Sequence, residues 1–438
     1  MDLMEEILAD ENLQEALRKV CANKGAAGTD GITTTEFHKQ MSEEWKDTKQ
    51  RLLLGKYKPK GVRRVEIPKP TGGTRMLGIP TVMDRFIQQA MLQRLTPIFD
   101  PEFSKFSYGF RPNKSAHDAV RQAKKYIEEG HEFVVDIDLE KFFDKVNHDI
   151  LMHLVGKKIR DKRVLRLIGN YLRAGIMTEG VCIPNEEGTP QGGVISPLLA
   201  NIMLNELDKE LESRGHKFCR YADDCNIYVK SMKAGERVKA SITRFLAKKL
   251  KLKVNEGKSA VDKPTNRKFL GFSFYLGKEL RIILSPQSLK RVKNRIRELT
   301  NPITAISMED RIKRLNRYLI GWLGYYSLVD NSSRINAIDC WLRRRMRLCQ
   351  WHQWKKPKTK IRELMNLGLK ESSAHKLGNS RKGEWRSCIT TAIHRAMSVE
   401  YWRKRGLVHL VDRYNIYRES WRTAVYQTGT HGGVRGRG

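Results

Sequence analysis

Two short apolar runs in this chain end in carboxylates, and that pairing constrains the fold more than any other feature. The run Val134-Val135-Asp136-Ile137-Asp138-Leu139 is β-branched and apolar, and it predicts a buried strand over Glu132 to Leu139. Asp136 and Asp138 are two residues apart, so the period of a strand keeps them on one face. Phe218 to Tyr221 and Cys225 to Val229 predict two more short strands, separated by Asp223-Asp224. Adjacent acids repel each other. Carboxylates at the end of a buried apolar strand are costly unless something binds them. A divalent, oxygen-seeking cation such as Mg²⁺ would compensate both effects. Asp-Asp is also an ordinary turn dipeptide, so the hairpin alone does not decide the matter. Two such strand ends side by side would form the carboxylate cluster of a two-metal phosphoryl-transfer site.

The surrounding pattern is mixed. Leu3, Ile7, Leu8, Leu13, Ala16, Leu17 and Val20 recur at helical spacing, and the glycine-rich loop Asn23 to Gly31 follows. A second helix is expected over 33–54. Val62 to Pro68 alternates as a strand, Gly72-Gly73 signals a turn, and Arg75 to Ile79 returns. Helices are predicted over Asp84 to Leu95 (closed by Pro97), Ala116 to Glu129, 148–160, 161–174, Pro197 to Arg214 and Ala234 to Leu250. His117, His148 and His153 read as helix-surface or capping residues. Lys268 to Tyr275 and Leu280 to Leu284 complete a last hairpin. This order predicts an α+β fold with an antiparallel sheet. After Pro286 the strand signal ends. Leu289, Val292, Ile296 and Leu299 form an apolar stripe with basic residues on the other faces, and a basic helix with Arg343-Arg344-Arg345 is expected over 335–353.

Charge identifies the class of partner. The 438 residues hold 83 Lys+Arg and 49 Asp+Glu, a net of +34. Residues 275–438 carry 35 of the basic and 12 of the acidic residues, together with seven of the eight tryptophans. Interleaved cations and large aromatics suit phosphate contacts with base or sugar stacking, so nucleic acid is the expected ligand. No apolar stretch is long enough for a membrane helix, and Met1 to Leu13 is acidic and unlike a signal peptide. The seven scattered cysteines contain no Cys-x-x-Cys pair, against a disulfide framework or a Cys-rich zinc module. A soluble protein of a reducing compartment is expected. No Ser-His-Asp arrangement and no P-loop is present.

Several further segments complete an ordered set. Arg63-Arg64-Val65-Glu66-Ile67-Pro68-Lys69-Pro70 with Arg75, Ser107-Tyr108-Gly109-Phe110-Arg111-Pro112, Gly188-Thr189-Pro190-Gln191-Gly192-Gly193 running into Asn201, Tyr221-Ala222-Asp223-Asp224 and Phe269-Leu270-Gly271-Phe272 occur in that sequence order. Together with Asp138 and Phe142-Phe143, they resemble the motifs of group II intron-encoded reverse transcriptases with maturase activity. The likeness is close over roughly residues 1–285, and the basic helical remainder is similar to the thumb (domain X) and DNA-binding domain of that family.

The resemblance implies a right-hand polymerase. Its parts would be an N-terminal extension (1–35), fingers and palm (36–285), an all-helical thumb (286–365), a small basic DNA-binding domain (366–427) and a flexible basic tail (428–438). Asp138, Asp223 and Asp224 would be catalytic, with Asp136 the rival to Asp138. Asp138, Asp223 and the backbone carbonyl of Leu139 would hold two Mg²⁺ ions, with Mn²⁺ able to substitute. Lys69, Arg75, Phe143, Gln191, Gly192 and Lys258 would bind the dNTP, with Phe143 as the steric gate against a ribose 2′-hydroxyl and Lys258 as general acid for pyrophosphate. Phe142 fits the alternative of a core phenylalanine at least as well as Phe143 does, and Lys258 equally fits a surface lysine. Arg63, Gly25, Gly28, Leu270, Gly271, Arg343 and Arg344 would contact template or primer.

The implied function is RNA-directed DNA synthesis on intron RNA, with help in splicing the parent intron and in its retrohoming. The implied partners are group II intron RNA, an RNA template with a DNA primer, dNTPs and target DNA, in the bacterial cytoplasm at the nucleoid. An RNA-directed RNA polymerase, a splicing-only maturase and a host-domesticated reverse transcriptase are the alternatives. The tail after Gly406 holds His409 and His431 without a cysteine. The His/Cys endonuclease of many relatives is therefore not expected, as in the compact group IIC lineage.

Overall fold

A computed structural model describes residues 2–68, 73–178, 181–183, 188 and 192–429. The chain divides into two units, Met1–Arg267 and Lys268–Gly438. The division falls ahead of the boundary read from the sequence near 285.

The first unit opens with α1 (Leu3–Ile7), α2 (Asp10–Ala22) and α3 (Phe37–Leu53). Leu13, Ala16 and Val20 of α2 are buried, the inward stripe of an amphipathic helix. Strands β1 (Val62–Pro68) and β2 (Thr74–Ile79) pair antiparallel, in register from Arg63 opposite Ile79 to Pro68 opposite Thr74. Helix α4 (Val82–Phe99) starts at Thr81, whose hydroxyl accepts from the Asp84 N–H. It runs through Pro97 rather than stopping there. Proline deletes one intrahelical bond, here in the last turn. Helix α5 (Ala116–Glu128) begins with a Ser115/Asp118 capping box.

Strand β3 (Phe133–Ile137) follows, then α6 (His148–Gly156), α7 (Lys162–Arg173), β4 (Ile176–Thr178) and β5 (Val181–Ile183). The pair β4–β5 was not foreseen from the sequence. Next come α8 (Ser196–Ser213), β6 (Lys217–Tyr221), β7 (Asp224–Val229), α9 (Met232–Phe245) and β8 (Ala260–Asp262).

Two four-stranded sheets result, ordered β2-β1-β4-β5 and β6-β7-β3-β8. In the second sheet every pairing is antiparallel, and α5, α8 and α9 pack against it. Val135, Ile137, Phe218 and Ile227 lie in its core with at most 1% exposure. Each fully buried side chain of this size stabilises the fold by about 1.5–3 kcal/mol. His117 and His148 are buried rather than on the helix surface. The His148 ring reaches the Gly188 carbonyl through Nε2, at 2.5 Å.

The second unit starts with a hairpin of β9 (Phe272–Leu276) and β10 (Leu280–Leu284) and is otherwise helical. Its helices are α10 (Pro286–Leu299), α11 (Met308–Tyr326), α12 (Ser332–Gln353), α13 (Pro357–Asn366), α14 (Glu371–Gly378), α15 (Glu384–Ser387), α16 (Thr391–Ala396), α17 (Val399–Lys404) and α18 (Leu410–Gly429). Val292 and Ile296 of α10, and Ile312, Leu315, Leu319 and Leu323 of α11, form its buried stripes. Among the described residues no helix is long and apolar enough to cross a membrane.

Candidate active site

The register of the second sheet brings the acidic strand ends together. Ile137 of β3 lies opposite Cys225 of β7. The residue just after β3, Asp138, and the first residue of β7, Asp224, therefore reach the same end of adjacent strands. Ala222 and Asp223 form the two-residue turn between β6 and β7. Ala222 has φ +57°, which a residue with a Cβ adopts only under strain.

That turn is braced from below. The N–H of Tyr108 donates to the Arg220 carbonyl at 2.8 Å. The Arg220 guanidinium donates to the Ala222 carbonyl at 2.9 Å, to Asn201 Oδ1 at 3.0 Å, and to both oxygens of Asp208. Asn201 in turn donates to the Gly109 carbonyl at 2.8 Å. Gly109 lies so close that a Cβ there would fall 2.4 Å from the Ala222 nitrogen, so only glycine fits. Sequence reasoning gave no role to Arg220, Asp208 or Asn201, the last seen only as the end of a motif. The available signal was an arginine inside the apolar strand Phe218–Tyr221, which demands a buried partner.

The structure separates the two acids of β3. Asp136 is 16% exposed, and its Oδ2 accepts from Arg267 at 2.5 and 3.1 Å. Asp138 is 39% exposed, and its Oδ1 lies 3.7 Å from Nζ of Lys258, itself 68% exposed. The Asp138 backbone is pinned on the β8 side. Its N–H donates to Ser259 Oγ at 2.9 Å, and its carbonyl accepts from the Asn255 N–H at 2.8 Å. Glu140 N–H donates to the Lys253 carbonyl, which flanks an antiparallel bridge between Leu139 and Val254. In a bridge of that type the Leu139 carbonyl points the other way, toward β7.

After Leu139 the chain turns through Lys141 at φ +47°. Phe142 is 2% exposed in the core, whereas Phe143 is only partly buried, with ring centroids 5.1 Å apart. Gly188 lies against the backbone of Phe143 and Asp144, and Gly192, at φ +117°, lies against the Gly78 carbonyl of β2. Lys69 and Gln191, and the side chain of Arg75, lie outside the described residues. Arg63 is exposed on β1. At the root of that hairpin the buried Asp84 carboxylate accepts from Thr81 Oγ1 (2.7 Å), Tyr57 Oη (2.9 Å), Tyr171 Oη (3.3 Å) and the Lys60 N–H (3.3 Å). Burial raises its pKa against the lowering effect of these donors.

Gly25 and Gly28 are packing positions: their absent Cβ atoms would meet Arg85 Nη1 and the Thr81 backbone. The arginine run on α12 is also turned largely inward. Arg343 is 9% exposed and ion-paired with Asp339. Arg344 stacks on Trp385 at 3.6 Å and donates to its carbonyl. Burial holds the Arg347 guanidinium down at about 10. The helix periodicity explains this, since successive residues of a run point in different directions and one face must meet the core.

Leu270 and Gly271 form another two-residue turn. Both have positive φ (+52° and +83°), and Phe269 and Phe272 exchange two backbone bonds of 2.9 Å across it. This replaces the first half of the strand expected from Lys268.

The carboxylates at this end are hard oxygen donors of the kind Mg²⁺ prefers. Among the described residues no group of three or more His, Cys, Asp or Glu side chains is arranged to hold a metal ion. A Mg²⁺ ion is commonly held by one or two carboxylates, with water and substrate phosphates completing its shell.

Comparison with known proteins points the same way. Residues 67–274 match the family model described as reverse transcriptase (RNA-dependent DNA polymerase), and residues 289–368 match the group II intron, maturase-specific domain. Protein YkfC of Escherichia coli K12 is 36% identical over 299 residues, 59% of this chain and 78% of that protein. The group II intron-encoded protein LtrA of Lactococcus lactis is 30% identical over 365 residues, 68% of this chain and 60% of LtrA.

Proposed function

The chain belongs to the group II intron-type reverse transcriptase and maturase family, and from that premise we propose that it copies intron RNA into DNA and assists the splicing and retrohoming of its parent intron. The observation that carries the reading is the arrival of Asp138, Asp223 and Asp224 at one end of adjacent strands, on a turn braced by a buried ion pair.

In this reading Asp138 and Asp223, with the Leu139 carbonyl, would hold two Mg²⁺ ions with support from Asp224, and the ions would supply activation of a primer 3′-hydroxyl and neutralisation of charge on pyrophosphate. Lys258, with its ammonium 3.7 Å from Asp138, supports the reading in which it gives a proton to pyrophosphate. Phe143, the more exposed of the two phenylalanines, excludes the ribose 2′-hydroxyl, and Gly192 lets the nucleotide approach the backbone. Lys69, Arg75 and Gln191 grip the triphosphate and the base pair. The basic second unit, with the Leu270-Gly271 turn, holds the primer–template and intron RNA, and target DNA places the work at the bacterial nucleoid.

Primer extension tests this directly. The wild-type protein should extend a DNA primer on an RNA template with dNTPs and Mg²⁺, and Asp223→Asn should lower the rate by at least about a hundredfold while RNA binding is retained. Unchanged synthesis by that variant would overturn the reading.

A further inference from the structure

At the far end of β6 from the acidic turn lies an open, shallow cavity of about 370 Å³ whose rim carries Lys105, Lys114, Lys125 and Lys217. Lys217 pairs with Tyr228, whereas Tyr221 pairs with Asp224. Four strand positions, about 13 Å, thus separate Lys217 from Tyr221 at the acidic turn, while Tyr108 of the same lining bonds to Arg220 beside that turn. A ligand held at Lys217 would leave the catalytic end open.

Three of the ammonium groups are held over aromatic rings. Lys105 lies 5.1 Å from the centroid of Phe106, Lys114 5.4 Å from Tyr108 and Lys217 6.0 Å from Tyr126. Ring faces restrain the cations without neutralising them. Among the described residues Glu129 is the one carboxylate in the lining, and none of the four lysines is in an ion pair. Four cations around one concavity with a single carboxylate repel one another and are relieved by a polyanion. Burial also pushes the Tyr108 and Tyr126 phenols up, so they stay neutral beside a bound anion.

We propose that this lysine-rimmed cavity is a second RNA site, which takes backbone phosphates of a structured RNA that passes outside the polymerase cleft. The proposal rests on the RNA-binding reading above. Tyr108 and Tyr126 are 6% and 2% exposed, so they offer no stacking platform, and the site reads charge rather than base identity. The lining includes no exposed large apolar side chain. An acidic protein partner would need such an anchor, and RNA phosphates do not.

The test uses the full chain with Lys105→Glu, Lys125→Glu and Lys217→Glu combined, all three lysines being exposed. The probes are a structured RNA transcribed from the gene's own flanking sequence, poly-glutamate, and a short RNA–DNA primer–template. The expected result is a loss of RNA affinity of about tenfold or more at 0.1 M salt. The slope of log K against log salt should shrink by about 0.7–0.9 for each phosphate no longer neutralised. Extension on the short duplex should stay within about twofold, and the Lys→Arg triple variant should bind RNA as the wild type does, which separates charge loss from misfolding. Unchanged RNA affinity and slope would overturn the proposal, as would a charge reversal that weakens poly-glutamate binding alone. If the wild type bound RNA but extended no primer, the polymerase reading would fail while this one stood.

Discussion

Arg220 and Asp208 form a two-bond ion pair at 2.7 and 2.5 Å in which both side chains are fully excluded from solvent. The pair joins α8 to the last turn of strand before Ala222-Asp223, and the same guanidinium holds the Ala222 carbonyl. The acidic turn is therefore fixed by a residue that never reaches the site surface. Its φ of +57° at Ala222 persists because these contacts over-determine it.

Removing one partner leaves the other charged and buried. Asp208→Ala should therefore destabilise the protein by about 3–5 kcal/mol, read as a shift in chemical denaturation. Activity per folded molecule should also fall, because the turn loses its brace. Replacing Asp208 and Arg220 together with leucine and methionine should recover much of the stability and little of the activity. Equal recovery of both would mean that the pair serves stability alone.

Gly271 predicts a second separation of effects. Its missing Cβ would stand 2.6 Å from the Tyr326 hydroxyl, at φ +83°. That hydroxyl donates to Ser288, whose own hydroxyl donates to the Gly271 carbonyl, while Tyr325 donates to the Leu270 carbonyl. Gly271→Ala adds left-handed strain of about 1–2 kcal/mol and a clash. The expected outcome is a severalfold rise in KM for primer–template with kcat for dNTP addition within about twofold, since the turn is distant in sequence from the carboxylates. Tyr326→Phe in the same chain should restore part of the affinity by removing the clashing oxygen.

Which of these features the sequence disclosed follows from how far apart the cooperating residues lie. Strands β3, β6 and β7 were legible because alternation and β-branched residues are local signals. The Arg220–Asp208 pair was not, since its members lie on different elements and only the odd charge in an apolar strand hinted at it. Leu270-Gly271 hid inside an expected strand, because a hairpin turn of this type usually announces itself as Asn-Gly or Asp-Gly. The Arg343–Arg345 run shows how a local charge signal leaves tertiary partners unseen. It reads as a phosphate-binding stripe, yet Arg343 is committed to Asp339 within the helical unit.

Phe143 offers a specificity test. It is less buried than Phe142 and sits beside the Gly188 backbone. Phe143→Ala should raise the efficiency of NTP relative to dNTP incorporation by about tenfold or more, since even one methylene in a pocket is worth about 1–3 kcal/mol of discrimination. Phe142→Ala should instead destabilise the fold by about 3–5 kcal/mol with an unchanged NTP to dNTP ratio. Single-nucleotide incorporation kinetics with both substrates distinguish the two positions.

Asp136 and Asp138 lie two residues apart, and the structure gives them different partners. Asp136 is committed to Arg267, whose guanidinium also holds the Lys258 carbonyl at 2.7 Å. Asp138 faces the more exposed end, with the flexible Lys258 ammonium 3.7 Å from its carboxylate. Asp138→Asn keeps the side-chain volume and removes the charge that a cation requires. It should abolish extension to below about one percent and leave the unfolding midpoint nearly unchanged, because a half-exposed carboxylate with a distant lysine contributes about 0–1 kcal/mol. Asp136→Asn should do the reverse. It leaves a partly buried arginine without its counter-charge, so stability should fall by about 1–3 kcal/mol, while extension per folded molecule stays within a fewfold of the wild type. Parallel denaturation and extension measurements on the two variants decide the assignment, and the opposite pattern would move the catalytic role to Asp136.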